Sequence, residues 1–490
     1  MKNNVQLITY VDRLTGSNIK ELNNILNEQL ANQFSGIHLL PFYYPIDGSD
    51  AGFDPIDHTK VDSRLGSWQD VKALGEHYDV MADLIVNHMS SQSEEFQDVL
   101  NKGQNSPYWD LFLTKDKVFP NGFDNEQQDK IYRPRPGSCF TEFTLPNNES
   151  AEFWTTFTDN QIDIDVTSKS GEEYLTRILA TFAQSNIKII RLDAAGYAIK
   201  KPGSSCFMLE ETFEFINELT HKANNVGIET LVEIHSYYQT QIEIAKRVDQ
   251  VYDFALPPLI LHSLFNQDFS ALVNWLKISP RNCFTVLDTH DGIGIIDVGP
   301  MGGKAGLLTD EQIDNLVERI HINSEGQSKQ ATGAAASNVD LYQVNCTYYD
   351  ALGKSNFDYL LARAIQFFAP GIPQVYYAGL LVETNDMELL SKTQVGRDIN
   401  RPYLNRDRIN KSLQKPITKA LTKLIDIRNN CDAFNGEFSL TSEQGKLNIL
   451  WQNKGSSAAL TVNLIENKAS ISVDNDGDNI LIDLNELLLK

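Results

Sequence analysis

Residues 187–197 read Ile187-Lys188-Ile189-Ile190-Arg191-Leu192-Asp193-Ala194-Ala195-Gly196-Tyr197. Three of the first four side chains are isoleucine, interrupted only by Lys188, and neither Gly nor Pro breaks the run. A short β-branched run of this kind predicts a strand covered on both faces, as in a parallel sheet. The run stops at Arg191, Leu192 and Asp193, and Ala-Ala-Gly leads into a turn. At i and i+2 of a strand, the guanidinium and the carboxylate point into the same space. At the C-terminal end of a barrel strand, that space is the mouth of an active site. Taken alone, the pair serves equally well as a structural ion pair. Two further stretches weigh against that reading. Residues 230–235 (TLVEIH) form an apolar run that delivers Glu233, and residues 283–291 (CFTVLDTHD) deliver His290 and Asp291. Three apolar strands thus each end in a carboxylate, 40 residues apart (193 to 233) and then 58 apart (233 to 291). Retaining cleavage of a glycosidic bond needs one carboxylate as nucleophile and one carboxylic acid as proton donor, about 5 Å apart. A third acid to grip the sugar hydroxyls would complete such a set.

The rest of the chain gives those strands a setting. Residues 5–10 (VQLITY), 36–42 (GIHLLPF) and 81–86 (MADLIV) read as buried strands, and 18–30 carries helical spacing at Ile19, Leu22, Ile25, Leu26 and Leu30. Alternating strands and helices predict a parallel sheet with right-handed crossovers. Residues 251–256 (VYDFAL), 284–287 and 373–377 (PQVYY) supply the sixth, seventh and eighth strands. The expected fold is an α/β (β/α)8 TIM barrel with a domain inserted after strand 3, an insertion after strand 7 and a small all-β C-terminal domain. The expected boundaries place the barrel in three parts, 1–88, 167–292 and 355–433. An inserted domain B takes 89–166, an inserted loop region B′ takes 293–354, and the C-terminal β domain takes 434–490. A structureless loop of the length of 89–166 would be out of place in a compact domain, hence a folded insertion. Within it, 131–137 (IYRPRPG) fixes Arg133 and Arg135 between prolines, which lowers the entropy cost of presenting them to an anion. Residues 332–338 (TGAAASN) suit a mobile loop, although the alanines alone read equally as helix.

Net charge is −23, from 42 basic and 65 acidic side chains. This disfavours nucleic acid and anionic membranes as partners and requires that any phosphate site be locally basic. Five scattered cysteines, Cys139, Cys206, Cys283, Cys346 and Cys431, show neither CxxC nor Cys/His spacing. They predict free thiols in a reducing compartment, with neither disulfide framework nor zinc site. The start, MKNNVQLITY, enters a strand without an apolar leader, and no run approaches 18 apolar residues. A cytoplasmic protein is expected. No GxGxxG or P-loop pattern appears, so no cofactor is expected.

RLDAAGY at 191–197, EIHSYY at 233–238 and LDTHDGIG at 287–294 resemble motifs of the α-amylase superfamily (glycoside hydrolase family 13), most closely its sucrose phosphorylase branch. The resemblance spans the whole chain. It implies that Asp193 is the nucleophile, Glu233 the general acid/base and Asp291 the transition-state stabiliser. It also places Asp50, Phe53, His88, Arg191, His290 and Arg397 around a glucose. It puts Tyr132, Arg135, Tyr197, His235 and the run Asp340-Leu341-Tyr342-Gln343 at an acceptor or phosphate site, with Arg135 and Tyr342 as candidate phosphate hosts. The implied reaction converts sucrose and inorganic phosphate into α-D-glucose 1-phosphate and D-fructose through a β-glucosyl-Asp intermediate. Only small molecules are implied as partners, and monomer and homodimer both stay open. Asn87 matches one calcium-ligand position of many amylases, yet this branch implies no metal. Rival readings are phosphorolysis of sucrose 6′-phosphate or glucosylglycerol, hydrolysis or transglucosylation, and an inactive amylase-like scaffold. In those implied roles Glu233 has to start protonated, by burial or neighbouring negative charge, and Arg191 beside Asp193 favours an ionised nucleophile.

Overall fold

The computed structural model describes residues 1–490 except 49, 135, 136, 336–342, 476 and 490. Eight strands close into a barrel. They are β1 (Gln6–Thr9), β2 (Gly36–Leu39), β3 (Asp79–Ile85), β4 (Ile187–Asp193), β5 (Glu229–Val232), β6 (Gln250–Asp253), β7 (Cys283–Thr285) and β8 (Ile372–Tyr376). Every neighbouring pair is parallel, and β8 returns to β1. β4 matches the expected span of its strand, and its side chains are buried except Lys188, with Asp193 partly so. Helices Lys169–Gln184 and Glu210–Asn225 lead into β4 and β5, and the apolar stripe of the former, Leu175, Ile178, Leu179 and Phe182, is buried.

Several strands are shorter than the apolar runs suggest. The run 230–235 is strand only as far as Val232, so Glu233 and His235 stand on the rim. The run 251–256 ends as strand at Asp253, and Leu256 opens a helix, Leu256–Asn266. Pro257 and Pro258 sit at that helix start, where a missing N–H costs nothing and the fixed φ suits the first turn.

The barrel interior is not uniformly apolar. Gln374 Nε2 donates to Gln6 Oε1 (3.0 Å), and Tyr252 Oη donates to Gln374 Oε1 (3.3 Å). Higher up, His38 Nε2 lies 3.0 Å from Asp83 Oδ2, and Asp83 meets Arg191. This polar column is buried throughout and climbs towards the C-terminal rim.

Between β3 and β4 the chain forms a helix, Glu94–Lys102, a hairpin of Phe140–Thr144 with Ser150–Trp154, and a strand Gln161–Asp163 that pairs antiparallel with His88–Ser90. Leu113, Val118, Phe119, Ile131, Cys139, Phe140 and Trp154 form an apolar cluster there, closed by Cys206. After β7, Ile293–Gly294 pairs with Gln343–Val344, enclosing helices Asp310–Asn323 and Gln327–Ala335. Residues 332–335 of the small-residue run are therefore helix, and the rest of that run lies outside the described residues. From 437 onward, β9 (Glu437–Glu443), β10 (Lys446–Asn453), β11 (Ser456–Asn463), β12 (Lys468–Asn475) and β13 (Asp478–Asp483) form an antiparallel meander. Leu447, Ile449, Trp451, Ala458, Leu460, Val462, Ala469, Ile471 and Val473 alternate inward, as period-2 patterning requires. All five cysteines are free and buried. Among the described residues no helix is long and apolar enough to cross a membrane.

Trp451 fastens the meander to the barrel: it is 8 % exposed, and its Nε1 donates to the Phe368 carbonyl at 2.8 Å. Trp451→Ala should cost about 3–5 kcal/mol, as large aromatic truncations in cores do. Urea unfolding followed by circular dichroism measures it, and a loss below about 1 kcal/mol would mean that the sheet is held elsewhere.

Candidate active site

Asp193 at the end of β4, Glu233 one residue past β5 and Asp291 six residues past β7 converge at one rim. Arg191 lies opposite Asp83 in the β3–β4 ladder and opposite Leu231 in the β4–β5 ladder. Its Nη1 donates to Asp83 Oδ1 (2.5 Å) and to Asp193 Oδ1 (2.8 Å), and its Nη2 lies 3.7 Å from Glu233 Oε1. The Glu233 N–H donates to the Leu192 carbonyl (3.3 Å), which continues the ladder one residue past the strand and sets the acid beside Asp193. Ala194 then takes a left-handed φ of 54°, and a short turn, Ala195–Tyr197, carries the chain away. A Cβ at Gly196 would stand 2.8 Å from the Phe207 ring and 2.9 Å from Met208 Sδ, so this turn needs glycine.

A cavity of about 690 Å³ opens over this rim. Of the residues the sequence nominates, Asp50, Phe53, His88, Tyr132, Asp193, Tyr197, Glu233, His235, His290, Asp291, Gln343 and Arg397 line it. Arg191 does not; it lies beneath, 3 % exposed, and acts through the acids. Arg135, Asp340, Leu341 and Tyr342 lie outside the described residues.

At the inner end, Phe53 stacks on His290 (5.0 Å, 7°), and the Arg191 guanidinium sits 5.6 Å from the Phe53 ring. Asp291 Oδ1 is 2.8 Å from Arg397 Nη1 and 3.7 Å from Arg401 Nη2. Burial pushes the Asp291 carboxyl up, but the guanidinium groups of Arg397, Arg401 and Arg191 outweigh it and hold the group far below the usual carboxylate range. Asp291 is therefore an anion at any working pH. Burial lowers both His88 and His290, so each ring is neutral. His290 Nδ1 is buried without a hydrogen-bond partner, which suits a sugar hydroxyl. His88 Nε2 already lies 3.1 Å from the Phe53 carbonyl and 3.0 Å from Gln161 Nε2, so the ring also props the loop carrying Phe53.

Asp193 departs from the expectation of a plainly ionised nucleophile. Arg191 pairs with it as foreseen, but burial outweighs that pull, and with the charges of Glu233 and Asp83 it pushes the Asp193 pKa up to about 8. The facing carboxyls therefore hold a proton between them near neutrality, and the titration belongs to the pair. The direct bond from Arg191 to Asp193 works the other way, favouring the ionised form of that carboxyl.

Sequence reasoning passed over several supports. Asp83 is an acid inside the apolar run MADLIV, and Asp297 one inside GIIDVG; an isolated charge in a buried run was the available signal. Lys200 carried no such signal. Its ammonium, 1 % exposed, meets Asp163 Oδ2 (2.7 Å), Asn87 Oδ1 (2.8 Å) and the Tyr197 carbonyl. The side chain thus supplies the cation for an all-oxygen cluster that ties the turn after Asp193 to the His88–Ser90 strand. Among the described residues, Glu233, His235 and Asp291 also bring three ligand-type atoms within 4.8 Å of one another. They surround the space the acids themselves face.

The outer wall is aromatic on one side, where Tyr132 stacks on Phe207 (4.6 Å) and Tyr197 packs against Phe157 (5.2 Å). Arg133 and Pro134 line the cavity beside them. Opposite stand Ile295, Pro300, Met301 and Ile313, with exposed Asp310 and Asp314 at the mouth.

Comparison with known proteins agrees with this geometry. A family model described as the α-amylase catalytic domain matches residues 31–252. A sucrose phosphorylase of Agrobacterium vitis is 58 % identical over 474 residues, covering 96 % of this chain and 97 % of its own. One of Bifidobacterium adolescentis is 51 % identical, with coverage of 97 % and 94 %. The crystal structure of the sucrose 6F-phosphate phosphorylase from Thermoanaerobacter thermosaccharolyticum superposes with a TM-score of 0.91 at 38 % identity, covering 99 % of this chain and 98 % of that one.

Two outcomes are expected. Lys200→Met should cost about 3–5 kcal/mol, since it leaves the buried Asp163 unpaired, and adding Asp163→Asn should recover part of the loss. Chemical denaturation of the single and double variants checks this. The raised pKa of Asp193 means that the stability tied to its protonated form is full below about pH 4 and is lost as pH rises towards about 8. Asp193→Asn, which cannot ionise, should therefore melt above the wild type near pH 8, with the gap closing towards pH 5. Thermal scans across that range decide, and a pH-independent gap would be the contrary result.

Proposed function

Because the chain belongs to the sucrose phosphorylase family of the α-amylase superfamily, we propose that it transfers the glucosyl group of sucrose to inorganic phosphate with retention. The observation that carries this reading is the single guanidinium, Arg191, spanning Asp193 and Glu233, with Asp291 in the same cavity.

In this reading Asp193 attacks the anomeric carbon while Glu233 passes its proton to the leaving fructose oxygen. Asp291, held ionised by Arg397 and Arg401, binds the hydroxyls of the distorting ring and stabilises its developing positive charge. Asp50, Phe53, His88, His290 and Arg397 hold the glucose. The neutral Nδ1 of His290 serves one hydroxyl, and the Phe53 ring shields the centre from water. Phosphate then attacks the β-glucosyl-Asp193 ester, and the freed carboxylate returns to its bond with Arg191. Phosphate arrives ionised and so needs cations more than base assistance. Arg135 and Tyr342 are proposed as hosts, with Tyr132, Tyr197, His235, Asp340, Leu341 and Gln343 shaping the space that fructose and phosphate occupy in turn. The buried free thiols support a cytoplasmic setting.

Incubation with sucrose and phosphate should yield α-D-glucose 1-phosphate in excess over glucose, with sucrose 6′-phosphate and glucosylglycerol as parallel substrates. Reaction of either of those with sucrose inert would transfer the assignment to a sister activity. Asp193→Ala should abolish turnover. Arg135→Ala should raise KM for phosphate roughly tenfold or more while hydrolysis persists; an unchanged KM would remove Arg135 from the anion site.

A further inference from the structure

Asp297 has no part in the double displacement, yet it is a fully buried carboxylate at the edge of the acceptor half. It lies in the short turn Ile296–Val298, is 0 % exposed, and is paired with no lysine or arginine among the described residues. Its oxygens accept from His235 Nδ1 (2.9 Å), the Ser236 N–H (3.2 Å) and Gln241 Nε2 (2.7 Å). An ionised carboxylate only accepts, so the first contact places the proton on Nδ1 and turns Nε2 towards the cavity. There Nε2 lies 3.7 Å from Glu233 Oε1 and 3.3 Å from Gln343 Nε2, while Gln343 Oε1 accepts the Gly292 N–H at 3.2 Å. Phe254 stacks on the imidazole at 3.9 Å and 16°. Gly294 allows the close approach, since a Cβ there would stand 2.5 Å from Asp297 Oδ2 and 3.2 Å from His235 Nδ1. The ring is clamped on its face and at one nitrogen, while the other, which takes the Gln343 amide N–H, faces the cavity where an acceptor could replace that bond.

We propose that Asp297 is a positioning residue for the acceptor half. By holding the Nδ1 proton of His235, it presents Nε2 as a hydrogen-bond acceptor to a sugar hydroxyl and, once that nitrogen is protonated, as a charged donor to phosphate. The inference rests on the phosphorolysis reading above and adds the device by which one site serves a neutral sugar and an anion in turn. The charges facing the ring support it. Burial works to lower the His235 pKa, but Asp297, joined by Glu233 on its own segment and Asp291 from the loop after β7, raises it. Phe254 and Gln343, the other neighbours, carry no charge. A proton on Nε2 therefore persists to higher pH than in free histidine, and phosphate binding should weaken as pH rises through that value.

The test uses α-D-glucosyl fluoride as donor, which forms the glucosyl-enzyme without fructose, and measures the partition between glucose 1-phosphate and glucose as phosphate is varied. This ratio does not depend on how much enzyme is folded. Asp297→Asn offers its amide N–H₂ to Nδ1 and favours the opposite tautomer, as amide replacement does in the serine protease triad. The phosphate concentration giving equal products should rise roughly tenfold or more, the scale of a lost charged hydrogen bond. Its increase with pH should begin at lower pH than in the wild type, with phosphate's own ionisation common to both enzymes. Asp297→Glu, which keeps the carboxylate, should restore part of the partition. A wild-type partition and pH profile in Asp297→Asn, or reduced fluoride release with an unaltered partition, would overturn the proposal. A wild type that makes no glucose 1-phosphate at any phosphate concentration would instead overturn the phosphorolysis reading itself.

Discussion

One guanidinium holds the site together. Arg191 reaches the Asp83 carboxylate, the Asp193 carboxylate and, at longer range, Glu233. Without it, three acids would face each other in a buried space where like charges repel strongly. With it, Asp83 stays ionised: burial opposes this, yet the charges of His38 and Arg191 hold its pKa near 2. Asp193 is left in a different balance, because burial and Glu233 act on it together. One arginine thus acts on two carboxyls whose surroundings differ, Asp83 deep in the barrel and Asp193 at the cavity.

The supports of this arrangement run well beyond the cavity. The buried column from Gln6 through Gln374, Tyr252 and His38 to Asp83 carries hydrogen bonds from the barrel interior up to Arg191. Each member is satisfied, so the polar core orders the rim rather than weakening it. Lys200 works likewise from the side, gathering Asn87, Asp163 and the Tyr197 carbonyl, and through them the turn that follows Asp193. Such buried ion pairs add little net stability but make wrong arrangements expensive.

The two halves of the cavity are built differently. The inner half is fixed by ion pairs and stacked rings that hold Asp291, His290 and Phe53 over the strand ends. The outer half consists of loops: Tyr132, Arg133 and Pro134 from the segment after β3, Phe207 from the segment after β4, and Met301, Asp310 and Asp314 from that after β7. In the proposed double displacement, a firmly held inner half beside a loop-built outer half suits a leaving group and a second nucleophile that differ in size and charge. Asp297 ties the two together, since it reaches from the acceptor side to the residue two places beyond Glu233.

The sequence by itself determined the barrel and the three acids that meet at its rim. Apolar runs leading to Asp193, Glu233 and Asp291 carry their own signal, because strand burial and a polar rim residue are both written locally. Phe53, His88, His290 and Arg397 were legible through motifs, and the C-terminal meander through its alternation. Tertiary structure alone decided where the strands stop, because the ladder ends where neighbouring chains diverge, not where apolar residues run out; Leu256 joined a helix for that reason. It alone paired Lys200 with Asp163, Asp297 with His235 and Arg397 with Asp291, contacts between residues far apart along the chain. It also decided the protonation of Asp193, which Arg191 by itself would have lowered. Desolvation and charge are summed over everything within a few ångströms, and only the folded chain settles which groups those are.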